Sequence, residues 1–184
     1  LAIPNRISFQ WPHETRKKHM NGNYLEFSHD LAGIPYSKPM MRFVATELEL
    51  AEATIMKEKL DASPVILWVL SGSSIHKTWP YVDTVVARIL LTLPNAKIVT
   101  TGDGTCKLLE APWAKEPRII TKSGEWGIRE TMAFAQKCDL VIGPETGVMN
   151  AVAMESMPKI VFLSHSSNDN LTRDWENTYA MYSH

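Results

Sequence analysis

The strongest constraint on the fold is a regular alternation of short β-rich runs with helical patterns after Pro64. The first run, Val65 to Leu70, is apolar throughout, as expected of a strand that is covered on both faces. Further strand-like runs lie at residues 96–101, 118–121, 139–143 and 159–163. Because right-handed crossovers join such units, the sequence predicts a parallel sheet between helices, a Rossmann-like α/β fold.

The helical patterns lie between these runs and on either side of them. Apolar spacing predicts helices over residues 79–93, 103–110, 128–135 and 146–156, and a terminal helix in the polar tail after residue 164. Residues 44–60 are predicted to form an amphipathic helix. Its apolar face would consist of Val44, Leu48, Ala51 and Ile55. Residues 1–42 are interrupted by proline and glycine and are predicted to be irregular, with a solvated basic cluster at residues 16–19.

Length and charge exclude several classes of protein. A chain of 184 residues suits one α/β domain with an appendage, and its start at Leu1 suggests an excised domain or a processed product. Nineteen basic and twenty acidic residues give no global attraction to nucleic acid or anionic lipid. No run approaches the roughly eighteen apolar residues of a transmembrane helix, and the first residues lack the basic-then-apolar pattern of a signal peptide, so we expect neither.

Cysteine and histidine usage points away from disulfides and metal. Two cysteines, Cys106 and Cys138, are too few for a disulfide framework, and we interpret both as buried packing residues in a reducing compartment. The six histidines show no paired spacing, so the sequence predicts no metal centre.

In an open parallel sheet a ligand binds beyond the carboxyl ends of the strands, so the loops there are the candidates for a site. The first loop, SGSSIHK, offers backbone N–H groups, the hydroxyls of Ser73 and Ser74, and the Lys77 ammonium to phosphate oxygens. It lacks the Walker pattern, and the alternative is a plain strand-to-helix connection. The fourth loop, GPETG, leads into a helix and is a second candidate anion site, unless Thr146 only caps that helix.

Two phosphate-binding turns on one sheet edge favour a diphosphate that lies across the edge. Asp103 follows the second strand, where Rossmann-type proteins place an acidic residue on a ribose hydroxyl; the alternative is a helix cap. Trp126 offers a flat surface to a nucleobase, with its ring partly open to the cleft, and the alternative is a core residue.

Three motifs together resemble glycosyltransferase family nine, the lipopolysaccharide heptosyltransferases and their relatives. They are GSSIHKTWP, the turn at Gly102, and IGPETGVMNAVAMESMPKIVFL. Residues 64–176 match the family in order and spacing, and Gly22 to Leu60 is similar to the stretch that leads from the first domain through the connecting helix. The resemblance implies the C-terminal half of a GT-B fold. Residues 1–62 would be a remnant of the preceding domain, and residues 63–184 the donor-binding domain.

The resemblance also implies roles for particular residues. Ser73, Ser74 and Lys77 would hold the donor phosphates, Asp103 would lie near the ribose, and Trp126 would line the nucleobase pocket. Four further residues would contact the diphosphate and sugar: Glu145, Thr146, Gly147 and Asn150. Two of these depart from the family pattern, since Glu145 stands where aspartate is usual and Asn150 replaces the usual histidine.

The family resemblance implies an inverting, metal-independent transfer of a heptose-like sugar, without a cofactor. The donor would be a nucleoside-diphosphate sugar, ADP-linked by preference, and the acceptor a glycan or lipopolysaccharide bound through the first domain. The acceptor base would lie in that domain, so the chain alone would be inactive. The full-length form would be cytoplasmic and peripheral to the inner membrane.

Two alternatives stay open at this point. The first is a degenerate module that binds a nucleotide-sugar without transfer, which the Glu145 and Asn150 departures favour. The second is a nucleotide-sugar epimerase of similar build, which the KTWP motif disfavours.

Overall fold

The computed structural model describes residue 14 and residues 22–38, 42–72 and 77–182. The described residues fall into two compact units. The larger unit contains residues 42–72, 77–164 and 175–182, and the smaller contains residue 14 and residues 22–38 and 165–174. The helix before Pro64 thus groups with the sheet, while the domain boundary after residue 62 stays a prediction.

A six-stranded sheet is the centre of the larger unit. Its strands are β1 Val65–Val69, β2 Lys97–Thr101, β3 Ile119–Thr121, β4 Leu140–Pro144, β5 Lys159–Leu163 and β6 Thr178–Tyr182. The spatial order is β3-β2-β1-β4-β5-β6, and every neighbouring pair is parallel. The predicted Rossmann-like α/β fold is confirmed, and the strand order reverses between β1 and β4, where such folds place their ligand.

Helices connect the strands. They are α1 Tyr24–Ala32 in the smaller unit and, in the larger unit, α2 Glu47–Leu60, α3 Val82–Thr92, α4 Lys107–Glu110, α5 Ile128–Ala135 and α6 Gly147–Ala151. Short 3-10 turns at Gly104–Cys106 and Ala111–Trp113 flank α4. Within the described residues, no helix has the length and apolar character that crossing a membrane requires.

The core explains why β1 is apolar throughout. All five of its residues are buried, and Ile66 and Trp68 belong to a cluster with Val86 and Leu90 of α3. Both cysteines are buried, as predicted. Gly143 lets β4 lie close to β1, because a Cβ at that position would stand 2.7 Å from the Val69 Cβ.

The predicted apolar face of α2 is wrong. The residues assigned to that face are exposed: Val44, Leu48, Ala51 and Ile55. The helix packs instead through Ala53 and Leu60, which are buried, and through Glu49, whose carboxylate accepts two hydrogen bonds from Arg129 on α5. A hydrophobicity pattern does not predict this orientation, because a tertiary ion pair helps to set it.

Three other element predictions need correction. The tail contains a short π-helix at Asn168–Thr172 and then forms the edge strand β6, paired in parallel with β5, where a terminal helix was predicted. Helix α6 ends at Ala151, well before the predicted residue 156, and Pro158 follows before β5 begins. Helix α3 begins at Val82, since the chain forms a turn at Pro80 and Tyr81.

The smaller unit contains a helix within the segment predicted to be irregular. The Asn23 side chain accepts hydrogen bonds from the backbone N–H groups of Leu25 and Glu26 at the start of α1, and Gly33 ends the helix in the left-handed conformation. Asparagine before a helix and glycine after it are the sequence signs of these ends. Arg173 donates to the Glu26 carboxylate at 2.9 Å within the same unit.

Candidate functional site

A cavity of about 560 Å³ opens where the strands of the larger unit end. Its walls come from the residues that follow β1, β2, β3 and β4, so it lies at the point where the strand order reverses. All of the predicted site residues that the structure describes line this one cavity: Lys77, Asp103, Trp126, Glu145, Thr146, Gly147 and Asn150. Ser73 and Ser74 lie outside the described residues.

Lys77 is held across the cavity wall rather than extended into solvent. Its Nζ donates a hydrogen bond to the backbone oxygen of Glu145 at 2.9 Å and lies 3.7 Å from the Glu145 Oε1. The side chain is only 19% exposed. Gly72 makes room for it, because a Cβ there would lie 2.6 Å from the Lys77 Cδ and 3.2 Å from the Thr146 Cγ2.

Glu145 is buried beside this ammonium. Its Oε1 also accepts a hydrogen bond from the Ser164 hydroxyl at 3.0 Å. The last loop of the sheet edge, SHSSN, therefore contributes a residue that supports Glu145, although no residue of that loop lines the cavity. A buried carboxylate is stable beside a cation and would repel phosphate, so Glu145 is better suited to hold Lys77 than to contact a diphosphate.

Thr146 does not act only as a helix cap. It occupies the N-cap position of α6, but its side chain makes no capping bond. Its Oγ1 is buried and has no hydrogen-bond partner among the described residues. A buried hydroxyl without a partner costs about 1–3 kcal/mol, so a ligand atom that bonds to it would recover this energy.

The start of α6 is a weaker anion site than predicted. The helix has only five residues, so its dipole is small. What Gly147 and Val148 offer are individual backbone N–H groups, which the first turn of a helix leaves without intrahelical acceptors.

Asp103 forms a helix cap and also lines the cavity. Its Oδ1 accepts hydrogen bonds from the backbone N–H groups of Thr105 at 3.0 Å and Cys106 at 3.2 Å. Hydrogen bonding, first of all from the Thr105 hydroxyl, lowers the pKa of Asp103. A hydrogen bond from the Cys106 thiol to this carboxylate lowers the pKa further. Both alternatives left open by the sequence are therefore compatible.

Trp126 is half-buried, which confirms the expectation that its ring is partly open to the cleft. The ring also packs on Phe134 of α5, with centroids 4.9 Å apart and planes inclined by 58°. Support by Phe134 fixes the ring on one side of the cavity, where a planar group can stack on it.

Thr131 is a cavity residue that sequence reasoning missed. It lies on α5, the helix that apolar spacing predicts over residues 128–135. In the structure it lines the cavity and is buried, and its hydroxyl lies 3.5 Å from that of Thr101. A hydroxyl on an otherwise apolar helix face, just after Trp126, was the available sign.

Asn150 is exposed at the cavity edge, one turn of α6 after Thr146. Its side-chain amide makes no hydrogen bond within the part of the chain that the structure describes. The same residues contain no group of three or more histidine, cysteine, aspartate or glutamate side chains arranged to hold a metal ion.

Three solved structures have a similar fold. A glycosyl transferase family 9 protein from Veillonella parvula DSM 2008 has a TM-score of 0.67 at 14% identity, over 84% of this chain and 46% of that protein. The ADP-heptose LPS heptosyltransferase II of E. coli has a TM-score of 0.69 at 16% identity, over 89% and 55% of the two chains. The E. coli heptosyltransferase WaaC with ADP has a TM-score of 0.56 at 16% identity, over 86% and 50%.

These similarities confirm the fold expected from the resemblance, a Rossmann-like sheet that matches GT-B glycosyltransferase structures. The chain spans about half the length of the structures that it matches. No protein-family model and no curated protein sequence matches it.

Proposed function

We propose that this chain is the donor-binding half of a glycosyltransferase and that its cavity binds the nucleoside diphosphate of a nucleotide-sugar. The observation that carries the proposal is the presence, in one cavity, of the mostly buried Lys77 ammonium and of the Thr146 hydroxyl, which has no hydrogen-bond partner among the described residues. Phosphate oxygens accept hydrogen bonds from both kinds of group, and the bond to an ammonium is charge-assisted. The cavity volume is that of a typical small-molecule site.

The sheet order supports an orientation for the nucleotide. Lys77, Asp103 and Trp126 follow β1, β2 and β3, which are neighbours in the sheet and about 4.8 Å apart from strand to strand. A diphosphate between the β1 and β4 loops would therefore have its ribose at Asp103 and its base on Trp126. The sugar would lie on the opposite side, toward Gly147 and Asn150.

This orientation assigns the chain a part in sugar transfer. The acceptor oxygen attacks the anomeric carbon, the carbon–oxygen bond to the β-phosphate breaks, and its electron pair leaves with the nucleoside diphosphate. Lys77, the Thr146 hydroxyl and the first N–H groups of α6 would stabilise the negative charge that develops on that phosphate. In this proposal the reaction inverts the anomeric carbon, and Lys77 supplies the positive charge in place of a metal ion.

The acceptor and the base belong, in this proposal, to a second half of the protein. The support is that the chain spans about half the length of the glycosyltransferases that it matches. That half would bind a glycan or lipopolysaccharide acceptor and take the proton from its hydroxyl. We therefore expect the isolated chain to bind nucleotide and to transfer no sugar. Similarity to heptosyltransferases favours an ADP-linked, heptose-like donor and a cytoplasmic location.

Asn150 favours a second candidate, a module that binds nucleotide-sugar without transfer. The residue stands where the resembled pattern has histidine, and an amide side chain cannot carry a proton between groups. The two candidates differ in one outcome only: the intact protein transfers sugar in the first and does not in the second.

The test of nucleotide binding is a titration of the chain with ADP, UDP and pyrophosphate, followed by ¹H–¹⁵N NMR. We expect saturable shifts at Gly72, Gly102 and Gly147 and at the Trp126 indole N–H. Asn95, near the amino end of β2, serves as the internal control. Saturation without shifts at these cavity positions, or no saturation with any ligand, would overturn the proposal.

A further inference from the structure

We propose that Glu110 is a positioning residue that fixes the loop carrying Asp103 relative to the loop carrying Trp126. The inference rests on the proposed function, which assigns Asp103 and Trp126 to the ribose and the base of one nucleotide. Glu110 itself belongs to α4, does not line the cavity and contacts no ligand in this proposal.

A single carboxyl oxygen of Glu110 joins the two loops. The side chain is buried, and its Oε1 accepts hydrogen bonds from the Thr100 hydroxyl at 2.6 Å, the Ser123 hydroxyl at 2.7 Å and the Ser123 backbone N–H at 3.2 Å. Thr100 belongs to β2, and Ser123 lies in the turn after β3. Glu110 thus bridges two neighbouring strands at their carboxyl ends.

The bridge lies at the same short distance along the chain from both site residues. Thr100 precedes Asp103 by three residues, and Ser123 precedes Trp126 by three residues. Pairing of β2 with β3 ends at Thr100 and Thr121, so the loops leave the regular sheet at this level. Two further backbone bonds continue from there, from Lys122 N–H to the Thr100 oxygen at 2.9 Å and from Gly124 N–H to the Gly102 oxygen at 3.0 Å.

The Glu110 bonds differ from these backbone bonds in what they connect. Asp103 caps the turn that leads into α4, and α4 returns Glu110 to the base of both loops. The end of this segment, Glu110, therefore bonds to Thr100 on the strand from which the segment began, and it also bonds to Ser123 in the next loop. Without the carboxyl oxygen, three donors lose their acceptor, and the two loops are held together less firmly, by the backbone bonds from Lys122 to Thr100 and from Gly124 to Gly102.

The second carboxyl oxygen leaves room for a conservative test. Oε2 makes no hydrogen bond among the described residues, and Glu110 borders a small open pocket together with Lys107 and Thr121. Glutamine therefore presents the same acceptor to the three donors and places its NH₂ group in the position of Oε2. If the position of this acceptor oxygen matters, rather than side-chain volume or burial alone, Glu110→Gln should retain ADP affinity and Glu110→Ala should not.

The experiment measures the dissociation constants of ADP and pyrophosphate for the wild-type chain and for Glu110→Ala and Glu110→Gln. Pyrophosphate reports on the Lys77 side of the site, and ADP adds the ribose and base. We expect Glu110→Ala to weaken ADP binding about tenfold, because the loops that carry Asp103 and Trp126 are then held less firmly, and to leave pyrophosphate binding within about twofold. We expect Glu110→Gln to bind both ligands within about twofold of wild type.

Glu116→Ala is the matched control, because Glu116 lies before the opposite end of β3 and pairs with Arg118. It should bind both ligands as wild type does. If Glu110→Ala does not fold, Thr100→Val and Ser123→Ala each remove one of the hydroxyl donors, and each should weaken ADP binding selectively.

The outcomes separate the two proposals. Wild-type chain that binds no nucleoside diphosphate contradicts the proposed function, and this inference falls with it. If the wild-type chain binds ADP, three results would overturn the positioning role alone. Glu110→Ala could lose affinity for ADP and pyrophosphate equally, or it could lose affinity for neither. Glu110→Gln could also lose as much ADP affinity as Glu110→Ala.

Discussion

The Lys77 ammonium donates a hydrogen bond to the backbone oxygen of Glu145 at 2.9 Å, and this bond joins the loop after β1 to the loop after β4. An ammonium has three protons to donate. The Glu145 Oε1, at 3.7 Å, is within ion-pair range but beyond hydrogen-bond range. The arrangement thus holds Lys77 in place at the point where the strand order reverses, and the described residues leave protons of the ammonium available to a ligand.

Lys77→Ala should weaken ADP binding by about 1.5–3 kcal/mol, the range of a charge-assisted hydrogen bond. Pyrophosphate binding should fall by a similar amount, because the ammonium is assigned to the phosphates. Calorimetric titration checks both. Lys115→Ala is the control, since Lys115 is exposed and does not line the cavity. Unchanged affinity in a folded Lys77→Ala variant would show that phosphate does not reach this ammonium.

Thr146→Val tests the unpartnered hydroxyl. Valine has nearly the same shape and removes a buried polar group that has no partner, so the free energy of unfolding should stay equal or rise slightly. ADP binding should weaken by about 0.5–1.5 kcal/mol, because the hydroxyl is then unavailable to phosphate.

Urea denaturation and calorimetry on the same Thr146→Val preparation give the two quantities. A variant that is clearly less stable than wild type, with unchanged affinity, would mean that the hydroxyl serves the fold. Thr146→Ser is the matched control, since it retains the hydroxyl.

Trp126→Ala should weaken ADP and UDP alike by about 1–3 kcal/mol, because stacking on an aromatic ring is tolerant of the base. Pyrophosphate binding should stay nearly unchanged, since Lys77 and Thr146 follow other strands. Trp126→Phe retains a ring for stacking and for the contact with Phe134, so it should retain most of the affinity. Equal losses for pyrophosphate and ADP would make Trp126 a structural support of the whole sheet edge.

Acid stability tests the ion pair that orients α2. Hydrogen bonds from Arg129, and then from the Thr46 backbone N–H, lower the pKa of Glu49 to about 2. Glutamate in an unfolded chain has a pKa of about 4.3. The ion pair between Glu49 and Arg129 therefore contributes its full stabilisation above that pH, and this contribution is lost as the pH falls toward 2.

The urea midpoint of the wild-type chain should therefore fall more steeply between about pH 5 and pH 2 than that of Glu49→Gln. Glu47→Gln, in the same first turn of α2, is the control and should follow the wild type. Identical slopes for wild type and Glu49→Gln would mean that the ion pair does not contribute to stability in solution.

The sequence predicted which loops meet at one sheet edge, because the topology does most of the placement. The apolar run at Val65, the helical spacing after it and the right-handed crossover rule place the carboxyl ends of all parallel strands on one sheet edge. Residues as distant in sequence as Lys77 and Asn150 then line one cavity without any further assumption.

What the sequence left undetermined depends on tertiary partners. Nothing local shows that Lys77 bonds to Glu145 or that Glu110 accepts from both Thr100 and Ser123. The orientation of α2 depends on a pair with Arg129, far along the chain. The strand β6 depends on an available edge of β5, which outweighs the polar composition of the tail.

A calorimetric titration of the wild-type chain with ADP, repeated with saturating pyrophosphate, tests whether the cavity binds a nucleoside diphosphate through its phosphates. We expect one saturable ADP site per chain and competitive loss of that binding in the presence of pyrophosphate. No saturable heat with ADP, or ADP binding that pyrophosphate does not displace, would mean that the cavity does not bind the nucleotide in this way.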